Sequence, residues 1–263
     1  MRRIAVLAAS GRELTPARSV ISASRSGRLG SVRYEVGRAG CIEVYLVDTG
    51  MGPVSAFAST EAILAEPQLD AVVSTGYAGG LGPAGPGEVI LATELLDWTG
   101  EQSRIAIPAD AELLRSARAA AQEAGVVWTE GPVVTMRKVV CSSLEKKALG
   151  KASGAIAVDM ESAAIAKAAA HAGVPFLLVR VVSDSAEEDL PMDFNLWLSP
   201  WGRLCGMGQL LLRPSLLRSL FRMRRQVEQG SQSLARFFHA WIRSQGSGRP
   251  SLHRDGQVTV GVV

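Results

Sequence analysis

The chain has 263 residues, 47% of them hydrophobic, enough to bury a full core, and its length fits one α/β domain with a tail. A net charge of +3 is too small to argue for a nucleic-acid partner, and no run of ~18 uninterrupted apolar residues predicts a membrane-spanning helix. Cys41, Cys141 and Cys205 are far apart with no Cys-x-x-Cys, and His171, His239 and His253 are scattered, so a zinc site and a disulfide framework have little support and reduced thiols of a cytosolic protein are expected.

The apolar run after Arg2 and Arg3 ends by Ser10, which is short for a secretory leader and fits a first buried strand over 4–8. Strand-like runs recur at 43–48, 71–75, 89–92, 132–134, 155–158 and 175–182, with helical patterns at 53–64, 111–124, 144–150 and 160–172. This alternation predicts the α/β class: a single layered domain over 1–195 whose central sheet, mostly parallel or mixed, is flanked by helices. Ligands of such sheets gather at strand carboxyl ends, where Gly11, Thr49-Gly50-Met51-Gly52, the glycine turn at 75–80 and Ser183-Asp184 all fall. The glycine turn is neither a dinucleotide fingerprint nor a P-loop, and by itself fits a tight turn with or without a ligand.

Asp159 and Glu161 stand at the mouth of an alanine-rich helical pattern, and Asp184 lies just beyond a buried strand of the same helix–loop–strand unit. Such acids can converge on one ligand, or serve only as helix-end partners and a loop cap. Beyond Asp193 the composition changes: Trp197, Trp201, Leu210, Leu217 and Phe221 are interleaved with Arg203, Arg213, Arg218, Arg222 and Arg225. An amphipathic helical extension over 196–243 is expected, with Arg218, Arg222 and Arg225 on one face, followed by a loose tail over 244–263. The stretch 197–225 suits peripheral membrane contact, and equally suits packing on the core or on a second subunit.

Five ordered segments resemble the nucleoside phosphorylase and nucleosidase superfamily, and within it the methylthioadenosine/S-adenosylhomocysteine nucleosidases. They are Asp48-Thr-Gly-Met-Gly-Pro-Val-Ser-Ala, Ser74-Thr-Gly-Tyr-Ala-Gly-Gly-Leu, Gly87-Glu-Val-Ile, Ala157-Val-Asp-Met-Glu-Ser-Ala-Ala-Ile-Ala and Arg180-Val-Val-Ser-Asp. The resemblance implies that Asp184 protonates the purine at N7, with Ser183 orienting it. It implies that Glu161 grips the ribose hydroxyls over Met160, and that Glu13 activates the attacking water. Acid on one side and base on the other is the general logic of glycosidic cleavage. By the same resemblance, backbone groups of Ala78, Gly79 and Val140 meet the base, Tyr77 lies near the ribose and Phe194 lines the 5′-substituent pocket. The implied ligand is an adenine nucleoside, no cofactor is called for, and a homodimer is expected.

Three departures matter. Val139 stands where nucleosidases usually carry a purine-stacking aromatic. Ser74 stands where purine phosphorylases carry a phosphate-binding Arg, which argues for water, whereas Arg12 occupies the place of another such Arg and keeps inorganic phosphate open as a co-substrate. The arginine-studded segment resembles that of the hopanoid-associated branch, whose members remove adenine from a lipid-linked nucleoside; this implies a bulky, lipid-like 5′-group and a cytoplasmic protein able to dock on the inner membrane face. The alternatives are a soluble nucleosidase, a phosphorolytic enzyme, and a nucleoside-binding regulatory protein that keeps the fold without the chemistry.

Overall fold

In a computed structural model, which describes residues 2–65, 68–98, 105–190 and 215–247 (without the side chains of 215–220, 223 and 247), the apolar runs form one ten-stranded mixed sheet. At its centre β1 (Arg2–Ala8) pairs in parallel with β4 (Ile42–Asp48) and β5 (Ala71–Gly80), and β5 pairs in parallel with β10 (Phe176–Asp184). These strands are covered on both faces. That is why β1, β5 and β10 read as largely apolar runs, whereas β4, next to the polar hairpin, begins with alternating burial. Along β1, Ile4, Val6 and Ala8 enter one core layer while Ala5 and Leu7 enter the other.

The sheet then curls back on itself. β10 pairs antiparallel with β6 (Val89–Asp97), β6 pairs in parallel with β8 (Trp128–Thr135), and β8 does so with β9 (Ala157–Asp159), which returns antiparallel to β5. The short β7 (Ile105–Pro108) is added to β6. Helices α2 (Pro53–Ala65) and α5 (Ser162–His171) cover one face. The single turn α1 (Thr15–Arg18), α3 (Ala111–Glu123) and α6 (Ser215–Ser247) cover the other, and α4 (Ser143–Ser153) closes a smaller cluster around Leu81, Val134, Val140 and Leu149.

Three features differ from the sequence expectation. The β2 (Ser22–Leu29) and β3 (Val32–Ala39) hairpin extends the sheet beyond β4, yet its first strand is polar and almost wholly exposed, so no hydrophobic pattern marks it. The core also does not stop at residue 195. In α6, Leu234, Phe237, Phe238, Trp241 and Ile242 are all buried against α3 and the sheet, and Trp241 Nε1 donates to Ser116 Oγ at 2.9 Å. The segment expected as an extension over 196–243 therefore ends as a core helix, because its apolar stripe meets the open face of the sheet. Nor does the loose tail begin at 244, since the helix continues to Ser247 and buried Gln245 accepts from Arg2 Nη1 at 2.5 Å.

Candidate active site

The carboxyl ends of β1, β5 and β10 come together because the three strands run side by side in one direction. The turn after β1 carries Glu13, whose carboxylate accepts from Ser10 Oγ at 3.0 Å and from the backbone N–H of Tyr77 at 3.3 Å. It lies over Gly76, where φ is +140°, a backbone conformation that disfavours any side chain. A Cβ at Gly76 would also stand 2.6 Å from Glu13 Oε1 and 3.3 Å from Arg180 Nη1. Glycine at this position thus lets an acid and a guanidinium approach the same point.

Arg180 sits in the middle of β10 and is 3% exposed. A charge buried so deeply requires partners. Asp159 accepts from its Nε at 3.1 Å and its Nη2 at 2.8 Å, and Nη2 is also within bonding distance of Ser162 Oγ at 2.7 Å and Ser74 Oγ at 3.0 Å. Nη1 is buried with no hydrogen-bond partner among the described residues. Asp159 is further held by Thr135 Oγ1 at 2.7 Å and by Ser162 Oγ.

Glu161 occupies the residue before α5 but does not cap that helix with its side chain. It crosses instead to the start of α2, where Oε1 accepts from the N–H of Gly52 at 3.0 Å; φ of +91° at Gly52 helps turn that N–H outward from the helix. Burial, and then the neighbouring charge of Asp159, push the Glu161 carboxyl up to about 7, against the lowering effects of the Gly52 bond and Arg180; Glu13 adds to the rise. Glu161 is therefore poised between its neutral and ionised forms near neutral pH.

Asp184 ends β10 and is buried. Its Oδ1 lies 2.5 Å from Ser183 Oγ, which in turn lies 3.2 Å from the Ala78 carbonyl. Its Oδ2 forms an ion pair at 2.5 Å with Nζ of Lys146, a side chain with no exposed surface, and has no directed hydrogen bond besides. A Cβ at Gly79 would lie 3.4 Å from Oδ2, so the glycine keeps the approach to this oxygen open. In the strand register Asp184 faces Gly79, whereas Glu13 bonds the N–H of Tyr77. Two residues of strand separate the anchor points of the two acids by about 7 Å.

The other expected residues surround this frame. Met160 is half-buried between Asp159 and Glu161, and Val140 is buried beside α4. Tyr77 presents its N–H to Glu13 while its ring packs on the α6 side of the sheet, where Ser231 bonds the hydroxyl. Arg12 is exposed. Phe194 lies outside the described residues.

Three residues gained no role from sequence alone: Arg180, Asp159 as its partner, and Lys146. A lone arginine inside the apolar run 175–182 is the signal for the first two, because such a charge must be paired. Lys146 shares a helix face with buried Leu149 three residues on, which marks an inward lysine.

A family model described as the Phosphorylase superfamily matches residues 3–199. The chain belongs to this superfamily. Among curated relatives, the 5′-methylthioadenosine/S-adenosylhomocysteine nucleosidase of Shewanella sp. (strain W3-18-1) is 27% identical over 230 residues, covering 81% of this chain and 99% of that protein. Among solved structures, the nucleosidase of the same description from Neisseria meningitidis, in complex with methylthio-immucillin-A, superposes with a TM-score of 0.74 at 23% identity over 93% of this chain and 100% of that one. Futalosine hydrolase of Helicobacter pylori strain 26695 does so with 0.73 at 20% identity over 92% and 98%. These structural likenesses show the same fold over most of the chain.

Proposed function

We propose that this superfamily member is an N-ribosyl hydrolase that releases adenine from a nucleoside. The observation that carries the reading is that Glu13 and the unpartnered Nη1 of Arg180 meet over Gly76, within the electrostatic reach of Glu161, while Asp184 ends the neighbouring strand opposite Gly79. Asp184, having taken up a proton from solvent, gives it to N7 as the C1′–N9 bond breaks, so the bonding pair leaves on a neutral base and the carboxylate returns to its ion pair with Lys146. Glu161 in its ionised form accepts from the ribose hydroxyls and steadies the oxocarbenium-like sugar. Water held by Glu13 and Arg180 Nη1 attacks C1′ and gives its proton to Glu13. The chemistry calls on side chains alone, with no cofactor.

Water rather than phosphate fits the cationic groups. The Ser74 hydroxyl is occupied by Arg180 and Ser162, and the guanidinium edge nearest Asp159 is already spent on a carboxylate. Arg12 is exposed and remains the residue through which a phosphorolytic variant of the reaction would act.

The nucleoside carries a bulky, lipid-like 5′-group. Support comes from the described part of the arginine-rich segment: Phe221 is 65% exposed among exposed Arg222, Arg224 and Arg225, and Arg222 reaches Glu188 at 3.8 Å, four residues beyond Asp184. An apolar and cationic helix end that reaches the turn after Asp184 is suited to a headgroup boundary. Incubation with methylthioadenosine and with an adenosylated lipid in vesicles, each with and without phosphate, tests all three levels. Adenine from both, faster from the lipid and independent of phosphate, is expected. Phosphate dependence would overturn the hydrolase, equal or poorer use of the lipid would overturn the 5′-group, and adenine from neither would overturn the activity.

A further inference from the structure

Lys146 transfers no proton in the mechanism above, yet it is fully buried and its Nζ stands 2.5 Å from Asp184 Oδ2. The same Nζ donates to the carbonyls of Ser185 at 3.0 Å and Glu188 at 2.8 Å. It therefore ties the acid to the backbone turn that follows it. The helix that delivers it is firmly set: Ser142 Oγ caps α4 by accepting from Glu145 N, and Gly154 ends it in the left-handed conformation. Lysine has a compact ammonium with three donors, and here two go to main-chain carbonyls while the charge faces the carboxylate.

We propose that Lys146 is a positioning residue for Asp184, fixing Oδ2 so that the carboxyl keeps one orientation toward the leaving base while Ser183 fixes Oδ1. A carboxyl group can turn about its Cβ–Cγ bond, and the proton it delivers must travel along one line to N7. Clamping both oxygens from opposite partners removes that freedom before substrate arrives. Oδ2 has no hydrogen bond among the described residues, so the ion pair with Lys146 is the contact that holds it. The inference rests on the reading of Asp184 as the acid.

The test compares two leaving groups. Adenine needs a proton to depart, whereas 4-nitrophenolate leaves a riboside unaided. In Lys146→Met, kcat for adenine release from methylthioadenosine is expected to fall about tenfold to a hundredfold, within what a general acid contributes. KM should move less than about threefold, and turnover of 4-nitrophenyl riboside should stay within about twofold of wild type. Lys146→Arg keeps the charge on a larger head and covers the case in which the methionine variant does not fold; it should show the same selectivity with a smaller loss. Equal losses on both substrates in a folded variant, or an unchanged kcat for adenine, would overturn the positioning role. Absence of adenine release by the wild-type protein would instead overturn the reading of the activity itself.

Discussion

Arg180 gives Nε and Nη2 to Asp159 at 3.1 and 2.8 Å, and Nη1 is left buried, without a hydrogen-bond partner among the described residues, on the side where Glu13 lies over Gly76. One residue thereby anchors the guanidinium while another stands near its free end. The two carboxylates should separate in their effects. Asp159→Asn leaves a buried arginine without its counter-charge and should cost about 3–5 kcal/mol of stability. Glu13→Gln should leave the urea midpoint nearly unchanged and lower kcat about a hundredfold. Denaturation curves and steady-state rates on the two variants check this.

Gly76 is the point at which strand geometry and chemistry meet. Gly76→Ala meets both a φ of +140° and a Cβ 2.6 Å from Glu13 Oε1. The carboxylate has to move, so activity should fall at least tenfold while the loss of stability is about 1–3 kcal/mol. Gly85, which has open space around its Cβ position, serves as the control: Gly85→Ala should change activity less than twofold.

Glu161 gives the pH dependence a definite sign. Its carboxyl is raised from 4.5 to about 7, so the folded state binds more protons than the unfolded chain between these values, and stability falls as pH rises through that window. The contribution is at most about 3 kcal/mol. Glu161→Gln should flatten this part of the profile and be more stable than wild type at pH 8, though catalytically poor. In wild type, kcat/KM should rise between about pH 6 and 8 as the ionised form gains the ability to accept from both ribose hydroxyls. Urea titrations at pH 5 and pH 8, with a pH–rate series, measure both effects.

The two ends of α6 should respond differently to substitution. Trp241 is fully buried and bonded to Ser116, so Trp241→Ala should cost about 3–5 kcal/mol. Phe221 is exposed, so Phe221→Ser should leave the melting temperature within about 1 °C. The same change should weaken sedimentation with anionic vesicles severalfold if the helix start meets lipid.

Most of the sheet was legible because its central strands are buried on both faces and therefore appear as unbroken apolar runs, as in β1 and β10. Strand β2 was not, since Ser22–Leu29 lies exposed at the sheet edge, where cross-strand pairing rather than burial decides the structure. The candidate acids could be read from short motifs at strand ends. Their neighbours could not: Lys146 and Asp184 are 38 positions apart, and their ion pair depends on how α4 is laid against the end of β10. The arginine-rich segment was compatible with the core as well as with a surface, and it is the stripe from Leu234 to Ile242, meeting the open face of the sheet, that puts its end in the core.

The decisive measurement is free adenine released from methylthioadenosine in phosphate-free buffer, compared between the wild-type protein and Asp184→Asn. Steady release by wild type and a loss of about a hundredfold or more in the variant, with nucleoside binding retained, are expected if Asp184 is the acid. Release at the same rate by both proteins, or none by wild type with soluble and lipid-linked nucleosides alike, would contradict it.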